Sequence, residues 1–180
     1  MQKIETDFKD VFIIKREIFH DERGFFFENF NSSKFQVLKL IDNYNQDNIS
    51  LSKLGTLRGL HYQLPPFSQT KYITVLKGEV YDVVVDIQKD SDSFGEFRSF
   101  RLSADNGDSL YVGSGYAHGF LALTDDVLFQ YKVNGPYNKS SERGIIYSDE
   151  NLNIDWPIQD LELSVSAKDL LLPTWGQIFR

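Results

Sequence analysis

Two histidines, a lysine and an arginine stand inside stretches that otherwise read as sheet core. In Leu57-Arg58-Gly59-Leu60-His61-Tyr62-Gln63 the apolar Leu57 and Leu60 alternate imperfectly with Arg58, His61 and Gln63. Lys71 opens the strand-like Lys71-Tyr72-Ile73-Thr74-Val75, and His118 lies in Gly115-Tyr116-Ala117-His118-Gly119-Phe120. Polar groups are costly to bury without partners. Two cations, an imidazole and an amide in one apolar setting therefore predict a lined cavity in which an anionic ligand completes the charge balance. A histidine in such a run suits either a satisfied core residue or a general base, since neutral imidazole accepts a proton near pH 7. A tyrosine can return a proton to a carbanion, and a buried lysine or second imidazole can hold an enolate oxygen in a dry cavity. With strand carboxylates added, this set fits abstraction of a proton alpha to a carbonyl. The third histidine, His20, sits in the charged turn His20-Asp21-Glu22-Arg23-Gly24 and is expected in solvent.

Other chemistries lack their parts. Metal-holding β-barrels commonly carry His-x-His in one strand, whereas His61 is followed by Tyr62 and Gln63. No cysteine is present to supply a thiolate ligand, a nucleophile or a disulfide. There is no Gly-x-Ser-x-Gly elbow, no Walker loop and no Gly-x-Gly-x-x-Gly opening a helix. Neither a metal nor a cofactor is expected. The net charge of −7 disfavours nucleic acid as a partner, so a phosphate-bearing ligand must be met by a local basic pocket. No run of about 18 apolar residues occurs and the first residues have no apolar signal core, which predicts a cytoplasmic protein without membrane contact.

The elements that must position these groups are mostly strands. At 180 residues with 14% aromatics, residues 1–180 read as one sheet-rich domain. Strands are expected over 11–14, 17–19 and 25–30, then over 46–52, 56–63, 71–76, 79–87, 96–102, 109–112, 118–123, 127–133 and 143–147. About ten short strands between turn signals predict an antiparallel sandwich or barrel. Asn31-Ser32-Ser33 can cap a short helix over 34–40. Near the C-terminus 164–172 can begin with a serine cap and form a helix that Pro173 ends.

Several pieces occur in a telling order: Asp21-Glu22-Arg23-Gly24-Phe25-Phe26, Gln46-Asp47-Asn48, Leu57 to Gln63, Gly78-Glu79-Val80-Tyr81-Asp82-Val83, Ala117-His118-Gly119-Phe120, Tyr131-Lys132 and Ser166-Ala167-Lys168-Asp169. Together they closely resemble the dTDP-4-dehydrorhamnose 3,5-epimerase family, from about residue 10 to about residue 175. The resemblance implies an all-β, cupin-like jelly roll that works as a homodimer without metal on a nucleotide-linked 4-keto-6-deoxyhexose. Carried over by motif, His61 is the base oriented by Asp169, Tyr131 the acid on the other face, and Lys71 the enolate stabiliser with His118 nearby; Asp82 orients His118. Arg23, Glu28, Gln46, Asn48 and Arg58 resemble the family's contacts to nucleotide, pyrophosphate and sugar. Phe27 and Tyr137 are implied to flank the base, with Glu142 and Lys168 as further contacts. The N-terminal strand region is implied to reach the partner's site.

Some positions depart from the family pattern. Ile49 stands where relatives often have His, Lys71-Tyr72-Ile73 replaces a commoner Lys-Leu-Val, and Val112-Gly113 replaces a Val-Pro turn. Three rival readings stay open at this point: an epimerase acting at one carbon, a 3,4-ketoisomerase of a related nucleotide sugar, and a carbohydrate-binding jelly roll without activity.

Overall fold

Alternation along the strands decides which side chains turn inward, and two facing sheets result. The structure is a computed structural model and describes residues 1–41 and 43–179. It begins with β1 (Gln2–Glu5), β2 (Val11–Lys15), a hairpin of β3 (Ile18–Asp21) and β4 (Gly24–Phe27), the helix α1 (Ser32–Val37) and β5 (Gln46–Ser52). Then come β6 (Thr56–Gln63), β7 (Lys71–Lys77), β8 (Glu79–Asp86), β9 (Phe97–Ser103), β10 (Asp108–Val112), β11 (Tyr116–Ala122) and β12 (Val127–Val133). The chain closes with β13 (Glu142–Gly144), β14 (Ser164–Val165), α2 (Ala167–Leu170) and α3 (Trp175–Ile178). One antiparallel sheet runs β1-β2-β10-β7-β12-β5. The other runs β13-β6-β11-β8-β9, with β14 laid parallel beside β6. This is the antiparallel sandwich that the strand pattern predicts, in the jelly-roll form that the family resemblance implies.

Between the sheets pack Ile73, Val75, Leu110, Val127 and Phe129 from the first and Val80, Val84, Leu102, Phe120 and Ala122 from the second. Phe120 and Phe129 stack across the gap with ring centroids 4.1 Å apart, a contact that adds to area burial. The outer face of the second sheet is also covered. Val83, Val85 and Leu121 meet Ile145, Leu152 and Trp156 there. Strand β8 is therefore buried on both faces, which is why it reads as a near-continuous apolar run instead of alternating. α1 lays Phe35 over the outer face of the first sheet, against Tyr72 and Ile14.

β1 precedes the first expected strand, and the larger differences in extent fall in three further elements. α1 starts earlier than 34 because Asn31 Oδ1 accepts from Lys34 N at 3.1 Å, and it ends before Lys39, whose φ is +56°. The strand expected to reach residue 30 stops at Phe27. The strand expected over 143–147 stops at Gly144; Ile145 still exchanges two hydrogen bonds with Leu60, but Ile146 N donates instead to Pro173 O.

The unusual event is in β6. Arg58 and His61 lie three residues apart, an odd step that strict alternation sends to opposite faces. The ladder absorbs it: His61 pairs with His118 and Arg58 with Phe120, so three steps on β6 match two on β11. This bulge brings both side chains to the inner face. Gly59 supplies its φ of +116°. A Cβ there would stand 2.6 Å from Gly119 Cα and 2.7 Å from His118 O. Gly59→Ala is expected to cost about 3 kcal/mol through backbone strain and overpacking. Urea titration checks it, and an unmoved midpoint would mean that the bulge tolerates a side chain.

Candidate active site

Antiparallel pairing gathers the polar inward residues at one end of the sandwich. The C-terminal part of β6 meets the start of β11, and the end of β12 meets the start of β7. Lys71 shares a face with Ile73 and Val75, and Tyr131 with Phe129. The result is a cavity of about 480 Å³ lined by Arg58, His61, Lys71, His118, Tyr131, Tyr137, Glu142, Lys168 and Asp169, with Phe120 and Phe129 among its apolar walls. This size suits a small-molecule site.

His61 Nε2 donates to Asp169 Oδ1 at 2.9 Å. The carboxylate can only accept, so Nε2 carries the proton and Nδ1 is left as the basic nitrogen. Burial pushes the His61 pKa down, the nearby Asp169 charge pushes it up, and the net shift is downward. The imidazole is therefore neutral at pH 7. Asp169 is buried and held in place: Gly59 N donates to its Oδ2 at 3.4 Å, and its own N–H donates to Ser166 Oγ at 3.1 Å. Pairing of Ser164 and Val165 with Thr56 and Leu57 lays the C-terminal segment alongside β6 and delivers α2 to the site. The single helix expected over 164–172 is thus a strand followed by a shorter helix. α3, beyond Pro173, has no counterpart in the expected elements.

A second histidine–carboxylate pair lies deeper. His118 Nε2 is 2.9 Å from both oxygens of Asp82, which is fully buried. Burial lowers the His118 pKa and raises that of Asp82, and their mutual attraction opposes both shifts. Lys71 Nζ donates to His61 O at 3.4 Å, and burial takes its pKa down to about 8 against the pull of Asp82. Lys71 thus remains mostly cationic at pH 7. Tyr131 has its pKa raised by burial, so its hydroxyl keeps its proton.

At the rim, Glu142 Oε2 accepts from Tyr137 Oη at 2.9 Å and from Lys168 Nζ at 2.7 Å. Burial raises the Glu142 pKa, but these two donors bring the net shift below the usual value. Arg58 Nε donates to Ser52 Oγ at 3.3 Å, a partner on β5 that sequence reasoning did not single out.

The chain matches the model of the dTDP-4-dehydrorhamnose 3,5-epimerase family over residues 5–177. The dTDP-4-dehydrorhamnose 3,5-epimerase of Shigella flexneri is 47% identical over 166 residues, covering 91% of each protein. This chain belongs to the dTDP-4-dehydrorhamnose 3,5-epimerase family. Among solved structures, the dTDP-6-deoxy-D-glucose-3,5-epimerase of Legionella pneumophila in complex with dTDP-4-keto-L-rhamnose superposes with a TM-score of 0.93 at 39% identity, covering 98% of this chain and 94% of that one. A 3'-monoepimerase from Streptomyces bikiniensis in complex with dTDP-quinovose gives a TM-score of 0.89 at 31% identity, covering 95% and 86%.

Not every residue matched to the family pattern reaches this cavity. Gln46 Nε2 donates to Asn48 Oδ1 at 2.9 Å, and Asn48 sits opposite Tyr131 in the β5–β12 ladder, beside the cavity wall. Ile49 points to the other face and is 60% exposed. Arg23, Phe27 and Glu28 are on the arm formed by the β3–β4 hairpin and its continuation, away from the cavity of their own chain. Arg23 pairs with Asp21 at 2.5 Å at the hairpin tip, Phe27 lies under the Arg16 guanidinium at 4.2 Å, and Glu28 pairs with Lys34 at 2.7 Å. His20, on the same hairpin, is exposed as expected.

Proposed function

We propose that this single-domain, cytoplasmic protein epimerises C3 and C5 of a dTDP-linked 4-keto-6-deoxyhexose. It takes dTDP-4-dehydro-6-deoxy-D-glucose to dTDP-4-dehydro-L-rhamnose in L-rhamnose synthesis. The observation that carries this reading is the His61–Asp169 pair lining one cavity with Tyr131 from facing sheets. The C4 ketone acidifies the hydrogens on both neighbouring carbons, so one base serves two positions if the sugar ring turns. Neutral His61 removes the proton from C3 or C5, and Asp169 stabilises the imidazolium that forms. Lys71 and His118 hold the negative oxygen of the enolate. Tyr131 returns a proton to the opposite face, and solvent resets both groups. Every group that moves a proton is a side chain, so no cofactor enters the cycle.

Arg58 holds the pyrophosphate, where a planar guanidinium makes paired, charge-assisted bonds. Gln46, Asn48, Glu142 and Lys168 contact nucleotide and sugar, and Tyr137 flanks the base. The protein works as a homodimer in which Arg23, Phe27 and Glu28 of one copy complete the site of the other. The arm supports this: Phe19, Phe25 and Phe26 on it are 52%, 59% and 68% exposed, an apolar patch that favours a protein contact.

Incubation with dTDP-4-dehydro-6-deoxy-D-glucose in deuterated water tests the reading. Deuterium is expected at both C3 and C5, with the L-sugar trapped by a downstream reductase. Label at one carbon only would favour monoepimerisation, the activity named for the Streptomyces bikiniensis relative. No label would leave a sugar-binding module. Tyr131→Phe is expected to slow product formation by about 10²-fold while substrate affinity stays within a few-fold. Collapse of affinity with unchanged turnover of bound substrate would make Tyr131 a binding residue.

A further inference from the structure

β6 ends at Gln63, whose side chain reaches two loops. Residues 64–70 lead into Lys71. Residues 134–141 lead from β12 to Glu142 and carry Tyr137. Gln63 Nε2 donates to Phe67 O at 2.8 Å and to Pro136 O at 3.3 Å, while Gln63 Oε1 accepts from Asn138 N at 2.6 Å. One amide thus ties both loops to the strand that carries His61. Pro136 and Asn138 are the two neighbours of Tyr137. Tyr137 is 54% exposed, so beyond the bond from its hydroxyl to Glu142 its own packing does little to fix it. The placement of its ring comes largely from the backbone on either side, which the Gln63 amide grips. Only an amide supplies two donors and an acceptor at once. A carboxylate lacks the donors and a thioether lacks nearly everything.

We propose that Gln63 is a positioning residue that sets Tyr137, and with it the rim that receives the nucleotide portion of the substrate. It takes no part in proton transfer two residues away at His61. This inference rests on the reading of the cavity as a nucleotide-sugar site. Gln63→Met and Gln63→Glu test it through substrate kinetics and amide hydrogen exchange of the ligand-free protein. The KM for the dTDP-sugar is expected to rise about tenfold with kcat within about twofold, as for loss of a hydrogen-bonded clamp used in binding. Exchange across 134–141 is expected to accelerate about tenfold while β6 and β11 stay protected. A fall in kcat at unchanged KM overturns the proposal, as do unchanged kinetics and exchange. Failure of both variants to fold also overturns it, since Gln63 would then support the sandwich and not the rim. Should the wild-type protein leave the sugar unaltered, the substrate reading has failed. The 134–141 exchange rates then decide alone: faster exchange supports the clamp and equal exchange overturns it.

Discussion

His61→Ala is expected to lower turnover by about 10³-fold and to remove deuterium incorporation at both C3 and C5 together. The joint loss is the informative part. Lys71, His118 and Arg58 remain to bind the sugar and to polarise its ketone, so affinity should change little. The remaining polar groups of the cavity are poor substitutes as bases. Tyr131 keeps its proton because burial raises its pKa, Glu142 is held by Tyr137 and Lys168, and Asp169 is tied back to Gly59 N. Loss at one carbon only would show that a second base serves the other position. Near-normal exchange at both carbons would remove His61 from the mechanism. The reading is taken by NMR of recovered sugar, with nucleotide affinity measured on the same preparation.

For Asp169→Asn, kcat/KM is expected to fall by about 10²-fold, because an amide no longer fixes one imidazole tautomer or stabilises the imidazolium. The pH dependence adds a test of sign. Burial lowers the His61 pKa and Asp169 partly restores it. Removing the carboxylate charge therefore lowers it further. Activity is lost on the acid side when His61 becomes protonated, so the acid limb of the kcat/KM profile should move to lower pH even as the rate falls. A limb that stays in place or moves up would mean that another group titrates there. In both enzymes activity should also decline as pH rises through about 8, where Lys71 loses its proton and with it the charge that holds the enolate.

Local pattern made the strands legible. Val127, Phe129, Tyr131 and Val133 alternate with outward Leu128, Gln130 and Lys132, and β12 forms over that run. The polar interruptions at His61, Lys71 and His118 marked the cavity because unpaired polar groups are costly in a sheet core. What depends on distant chain was not legible. The strand Ser164–Val165 exists only because the edge of β6 is free beside it, and α3 follows from contacts of Trp175 and Phe179 with Phe94. The Asp169 carboxylate lies 108 residues from His61, and only the motif match joined the two. Arg23, Phe27 and Glu28 carry family spacing, yet the folded chain turns their arm away from its own cavity, which no local pattern reports.

The odd step between Arg58 and His61 makes the direction of the imidazole a matter of counting. Were the bulge ironed out at unchanged length, with pairing up to Arg58 kept, His61 would turn outward to the side covered by Trp156 and Leu152. Substitutions around the rim adjust grip on a ligand by degrees, whereas loss of this one irregularity would turn His61 away from the cavity altogether. The one extra residue between Arg58 and His61 therefore acts as a phase shifter: it lets an odd spacing in the sequence present two side chains to the same cavity.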